Sequence, residues 1–152
     1  MPDSVAWIVG GFSSGCVPWA MLVGWLFTGK DIREVGDANP GTANAWKSGG
    51  WFPGSVSMIL ETGKGLIPVG LAFNQIEPPE GLTDHFELSL IALAPIVGHA
   101  WSPFLKFKGG KALATSWGSW IGITGGLAIP VGVILLGLFH ILQRNHAVTV
   151  TL

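Results

Sequence analysis

Charge is scarce in this sequence. Eight basic and nine acidic side chains are spread over 152 residues, so 11% of the chain is charged, where a soluble domain of this size carries about a quarter. With 49% hydrophobic residues and eight tryptophans, and a mean hydropathy of +0.52, that scarcity excludes a disordered chain, which needs high charge and few aromatics. Cysteine occurs once, at Cys16, so the chain is no disulfide scaffold. An excess of positive charge is missing too. The formal net charge is −1, and no basic stripe is available to neutralise successive phosphates, which excludes nucleic acid as a partner. What remains is a small integral membrane protein, against the alternative of an unusually apolar soluble core domain.

The positions of the charges favour the membrane. No Asp, Glu, Lys or Arg occurs in residues 4–29, 88–105 or 112–143. A bilayer core of ~30 Å needs about 20 apolar helical residues, so spans are expected over residues 5–27, 88–107 and roughly 116–142. Residues 51–73 are apolar apart from Glu61 and Lys64. Those two are three apart, on one helical face where they can pair, so this stretch counts as a further span with its charges turned inward. The expected architecture is all-α, a polytopic bundle of about four transmembrane helices. The N-terminal stretch lacks the basic leader of a secretory signal and reads as a retained helix.

The connections alternate in character. Residues 29–50 carry Lys30, Arg33 and Lys47, residues 74–87 carry four acids and no Lys or Arg, and Lys106, Lys108 and Lys111 fall close together. Because Lys and Arg favour the cytoplasmic side, the first and third connections are expected inside, with both termini and the acidic loop outside. No internal repeat or long linker divides the chain, so residues 1–152 read as one domain. Glycine is spread through the spans, as in helices that approach closely. Pro18, Pro68, Pro95 and Pro130 are expected to kink or break them.

Both basic loops have the composition of anion sites. Gly36-Asp-Ala-Asn-Pro-Gly-Thr-Ala-Asn44 mixes glycine with small hydroxyl and amide side chains and can turn several backbone N–H groups toward one point. It can also open a helix with Thr42 or Asn44 near the N-terminus. In Lys106-Phe-Lys-Gly-Gly-Lys111, two adjacent glycines would let the backbone approach a phosphate while lysines neutralise it. Taken singly, each loop also fits an ordinary turn or a set of inside anchors. Their occurrence on one face of the membrane favours a shared phosphate site.

Other chemistries fail on the residues. Gly110-Lys111 is followed by Ala112, which breaks a Walker A loop. His85, His99, His140 and His146 lack tight metal spacing, so no metal or cofactor is expected. A Cys16–His99 nucleophile pair is conceivable, but Cys16 lies in an apolar run and reads as a buried inert thiol.

The two loops resemble the first two motifs of the bacterial membrane acyl-phosphate:glycerol-3-phosphate acyltransferases. Asp31-Ile-Arg33, Gly36, Asn39, Gly41 and Asn44 stand where that family's first motif has its lead, glycines and asparagines. Gly98-His99, Pro103-Phe-Leu-Lys-Phe-Lys-Gly-Gly-Lys111 and Ala114-Thr115 match the second motif almost letter for letter. Glu61-Thr-Gly-Lys-Gly65 is similar to the family's Asp-x-x-Lys-Gly. The resemblance implies transfer of a fatty acyl group from acyl phosphate to the 1-hydroxyl of glycerol 3-phosphate, at the cytoplasmic face of a bacterial plasma membrane. It implies catalytic roles for Asp37, Lys47 and His99. It implies substrate contacts from Arg33, Asn39, Gly41, Thr42, Asn44, Lys108, Gly109, Gly110, Lys111 and Thr115. Asp37 replaces the family's serine and Lys47 its arginine, with Lys47 the expected partner of Asp37. The third motif has no clear counterpart, since His140 and Arg144-Asn145-His146 fall on the expected outer side. A catalytically silent binder of glycerol phosphate or anionic lipid headgroups is the alternative. A pore lined by Glu61 and Lys64 is a third reading, which the lysine-glycine loop argues against.

Overall fold

The structure, a computed structural model, describes residues 4–76 and 79–142, with side chains through residue 138. The described residues form helices and turns and no strand. The first apolar stretch is two helices, α1 (Ser4–Cys16) and α2 (Trp19–Thr28). Pro18 supplies no N–H and disrupts the helical ladder there. In hydrocarbon each unsatisfied backbone group costs several kcal/mol, and the break is closed by side chains from elsewhere. Ser102 Oγ donates to the Cys16 carbonyl at 2.6 Å, Lys64 Nζ donates to the Val17 carbonyl at 2.8 Å, and the Ala20 N–H donates to Glu61 Oε1 at 3.0 Å.

A 3₁₀ turn at Ile32–Glu34 leads to α3 (Thr42–Gly49), and Gly50, at φ 78°, turns the chain into α4 (Trp51–Gln75). Next comes α5 (Leu82–Ala100), which starts six residues before the expected span. Asp84 falls in its first turn, where the helix dipole favours a carboxylate, so an acid that looked like loop belongs to the helix. The expected fourth span is not continuous. It is α6 (Leu113–Ile123) and α7 (Ala128–Leu142), separated by a turn in which Gly125 and Gly126 take φ values of 57° and 98°, a backbone that glycine adopts without a Cβ penalty.

Two close pairings organise the bundle: α4 packs most extensively on α6, and α1 on α5. Small residues make both possible. A Cβ on Gly118 would lie 2.0 Å from the Thr62 carbonyl oxygen, and one on Gly15 would lie 2.1 Å from that of Pro95. Pro18 breaks its helix, one of the two expected outcomes, and Pro68 and Pro95 lie inside α4 and α5 without ending them. Pro68 cannot pair with the Lys64 carbonyl four residues back. Ser14 Oγ donates to that carbonyl at 3.0 Å instead.

The surface is inverted relative to a soluble domain. Leu26, Ile59 and Val133 are exposed while Glu61, Lys64 and Asn44 are buried, as expected of helices solvated by lipid. Three segments, Ser4–Thr28, Trp51–Gln75 and Leu82–Leu105, are long and apolar enough to cross a membrane, and α6 and α7 are shorter.

Candidate functional site

The two loops singled out in the sequence meet. Residues 36–41 precede α3, residues 101–112 precede α6, and both close over a cavity of about 150 Å³ lined by Asp37, Asn39, Thr42, Asn44, His99 and Lys111, among others. The first residues of α3 and of α6 face this cavity together. Neither helix is capped by a side chain from its own N-cap, Gly41 in α3 and Ala112 in α6. The leading N–H groups of a helix have no intrahelical acceptor, and with the helix dipole they form a site for an anion. All four non-glycine residues with positive φ among the described residues, Ala38, Lys106, Phe107 and Ala112, belong to these loops. Such conformations cluster where surrounding structure holds the backbone for a purpose.

An anion is already there. Asp37 accepts from Lys111 Nζ at 2.8 Å, from the Asn44 amide at 3.0 Å and from the Asn39 N–H at 3.3 Å. The Lys111 hydrogen bond, followed by the Asn39 N–H, lowers the Asp37 carboxyl to about pKa 2. The expected partner was Lys47, and the structure corrects this: Lys111 arrives from the other loop, while the Lys47 ammonium lies beside Gly36. Asn44 is pinned between Asp37 and the Asn39 carbonyl, which takes its amide at 2.9 Å.

Behind the cavity lies a buried cluster. Glu61 Oε2 stands 2.7 Å from Lys64 Nζ and 3.0 Å from His99 Nδ1. Glu61 also lines the cavity, and the sequence reading did not place it in the site. Its signal was a charge inside an apolar span, which usually marks a functional position. Among the described residues no group of three His, Cys, Asp or Glu side chains is arranged to hold a metal ion.

The remaining expected residues lie around this centre. Asn39, Gly41, Thr42, Asn44, His99 and Lys111 line the cavity with Asp37, whereas Arg33, Lys47, Lys108 and Thr115 do not. Arg33 pairs with Asp31 at 2.6 Å in the exposed loop, and its hydrogen bonds hold the Asp31 carboxyl below its usual range. Lys108 is exposed. Thr115 is fully buried where α6 crosses Gly65. The Gly109 and Gly110 N–H groups do not face the cavity, since they donate to the Ala100 and His99 carbonyls at 3.0 and 3.4 Å. These glycines serve close packing: a Cβ on Gly109 would fall 1.9 Å from the His99 carbonyl oxygen, and one on Gly110 would fall 2.3 Å from His99 Nε2. Arg144, Asn145 and His146, and the side chain of His140, lie outside the described residues.

Membrane-length helices carrying a polar, anion-directed cavity at one end define the class as an integral membrane protein. Comparison with known proteins makes the class specific. The sequence profile of the family described as glycerol-3-phosphate acyltransferase matches residues 5–151. The chain is 33% identical over 142 residues to glycerol-3-phosphate acyltransferase 1 of Thermotoga maritima, covering 91% of this chain and 68% of that one. It is 40% identical over 129 residues to glycerol-3-phosphate acyltransferase of Rubrobacter xylanophilus, covering 85% and 58%. It spans 68% of the Thermotoga maritima relative and about half, 48%, of the glycerol-3-phosphate acyltransferase of Desulfovibrio desulfuricans. The fold is similar to the crystal structure of PlsY (YgiH), an integral membrane glycerol 3-phosphate acyltransferase, in its glycerol 3-phosphate form. That match has a TM-score of 0.81 at 26% identity and covers 97% of this chain and 70% of that one. The chain belongs to the glycerol-3-phosphate acyltransferase family.

Proposed function

We propose that this chain transfers a fatty acyl group from acyl phosphate to the 1-hydroxyl of glycerol 3-phosphate, releasing phosphate and giving lysophosphatidic acid for phospholipid synthesis. The observation that carries this reading is the convergence of two uncapped helix N-termini and Lys111 on one cavity at the end of the spans. At about 150 Å³ the cavity is smaller than drug-sized pockets of about 300–1,000 Å³, which suits a compact phosphate monoester. The acyl tail then lies along the exposed apolar helix faces, in lipid.

The chemistry asks little of the protein. Acyl phosphate is an activated mixed anhydride whose leaving group is phosphate, so positioning and charge stabilisation suffice, without a metal or a covalent intermediate. Asn39, Gly41, Thr42 and Asn44 hold the donor phosphate at the start of α3. Lys111 holds the glycerol phosphate, with Lys108 at the rim of the same loop, and His99 faces the reacting hydroxyl. Asp37 and Lys47 set the charge around them, and Arg33 and Thr115 hold the loop and α6 in place. We read the chain as a single membrane domain in a bacterial plasma membrane, with both motif loops on the cytoplasmic side where the soluble acceptor is found.

The Asp37–Lys111 pair favours a second reading, a catalytically silent protein that binds glycerol phosphate or an anionic headgroup. Purified protein incubated with palmitoyl phosphate and labelled glycerol 3-phosphate separates the two. Labelled lysophosphatidic acid is the expected result. Binding of glycerol 3-phosphate without product would establish the silent binder, and neither binding nor product would overturn both readings.

A further inference from the structure

The turn that follows α5 carries side chains that the cavity does not use. Residues 88–105 have no charge, and Lys106 is the first charged side chain beyond them, so the turn stands where hydrocarbon gives way to headgroups. There Trp101, Phe104 and Phe107 are 58%, 71% and 64% exposed, and Lys106 and Lys108 are exposed between and after them. Neither lysine lines the cavity. Among the described residues neither enters an ion pair, and residues 88–152 contain no Asp or Glu. The backbone of the turn is fully engaged. The N–H groups of residues 105–110 all donate to carbonyls of residues 99–105, at 2.9–3.4 Å, so they offer nothing to an anion. Lys106 and Phe107 are held at φ values of 54° and 61°, a region that such side chains rarely adopt. The turn thus holds an ammonium group and a phenyl ring outward, in a conformation that costs free energy.

Two kinds of surface stand together here and ask for one ligand. A soluble phosphate would answer the lysines and leave three aromatic rings in water. Hydrocarbon alone would answer the rings and leave the lysines uncompensated. A phospholipid with an anionic headgroup supplies apolar chain and negative charge at adjacent depths, the arrangement that long cationic and aromatic side chains meet at a membrane interface. We infer that residues 101–108 form a docking site for anionic phospholipid headgroups, outside the cavity: Trp101, Phe104 and Phe107 enter the apolar side of the interface, and Lys106 holds the headgroup, with Lys108 adding to the positive charge. The site goes beyond acyl transfer and does not depend on it. Docked in this way, the loop that brings Lys111 to the cavity is fixed at headgroup depth.

The test uses the purified full chain in nanodiscs, with Phe104→Cys in a Cys16→Ser background carrying an environment-sensitive fluorophore. Quenching is compared between brominated phosphatidylglycerol and brominated phosphatidylcholine, each diluted into unbrominated phosphatidylcholine. Phosphatidylglycerol is expected to be preferred at least fivefold around the label. Lys106→Gln is expected to lower that preference about fivefold, the scale of one lysine near an anionic surface, and Lys106→Arg to retain it. Raised salt should weaken the preference in the unmodified loop. Equal quenching by the two lipids overturns the inference, because the turn would then rest in the interface without recognising a headgroup. A preference unchanged in Lys106→Gln also overturns it, since the charge would act from elsewhere. So does equal loss in Lys106→Gln and Lys106→Arg, which would trace the effect to the shape of the turn. A label that stays in water, unquenched by either lipid, overturns it and leaves the surface to a protein partner.

Discussion

Replacing Asp37 by serine is expected to raise acyl transfer by lowering KM for glycerol 3-phosphate. The carboxylate occupies three donors that suit a phosphate: Lys111 Nζ, the Asn44 amide and the Asn39 N–H. Substrate must displace it or bind against its charge. The size of the gain follows from exposure. The Lys111 and Asp37 side chains are 67% and 49% exposed, and ion pairs in water are weak, so release of Lys111 is worth about two- to fivefold in KM rather than orders of magnitude. Screening tightens the test. The Debye length is about 10 Å at 0.1 M salt, so the difference between the unmodified protein and Asp37→Ser should shrink as salt is raised. Acid should not imitate the substitution. The folded-state pKa is lowered from 3.8 to about 2, so the carboxylate's contribution to stability is fully present above the unfolded value and is lost only as pH falls toward 2. No activity limb between pH 5 and 9 should therefore belong to Asp37. The measurement is initial rate against glycerol 3-phosphate at two salt concentrations for the unmodified, Asp37→Ser and Asp37→Asn proteins. A rise in KM or a fall in kcat in both variants would refute the reasoning and make the carboxylate part of the working site.

Lys111→Ala is expected to raise KM for glycerol 3-phosphate about tenfold, the scale of one charge-assisted contact. The loss should be larger in an Asp37→Ser background, where Lys111 is no longer neutralised, and a strictly additive double variant would count against the pairing. Gly110→Leu should abolish activity while the protein still inserts, because its side chain would push His99 aside, and retained activity would show that the loop approaches His99 less closely. Ser14→Ala leaves the Lys64 carbonyl unpaired and should destabilise by about 1 kcal/mol in a thermal melt read by tryptophan fluorescence. The same change in Pro68→Ala, where residue 68 regains an N–H for that carbonyl, should be silent. In a Cys16→Ser background, a membrane-impermeant thiol reagent should label Glu80→Cys in intact cells and spare Lys47→Cys. The reverse pattern would place the motif loops away from the cytoplasm.

Much of the site could be read from residue types and spacing. Gly36–Asn44 and Lys106–Lys111 were distinctive because glycine, amide and lysine side chains in short loops beside apolar runs have few roles other than turning or holding an anion. Asn39, Gly41, Thr42, Asn44, His99 and Lys111 are found together around the cavity. The pairing of Asp37 was misread because Lys47 is near in sequence, whereas Lys111 is 74 residues away. Gly109 and Gly110 were read as backbone for phosphate, yet their N–H groups are spent on the end of α5. Composition shows that glycine is needed in a loop but not which approaching group requires it.

The sequence by itself determined the solvent and the helices. Apolar runs of this length can satisfy their backbone only as helices in lipid, and the scattered glycines let those helices touch. The motifs, being local strings, could be read without coordinates. Only the tertiary structure decided how the interruptions are resolved: that the break at Pro18 is closed by Glu61, Lys64 and Ser102, that the Lys64 carbonyl freed by Pro68 is taken by Ser14, and that the apolar stretch after residue 112 divides at Gly125 and Gly126. The reason is physical. A broken helix exposes polar backbone whose partners lie tens of residues away, and a charge in an apolar span finds its role from whatever the packing brings beside it. Glu61 reads in the sequence as one half of a pair with Lys64, and it is the fold that sets the same carboxylate oxygen beside His99 and the other against the Ala20 N–H at the helix break.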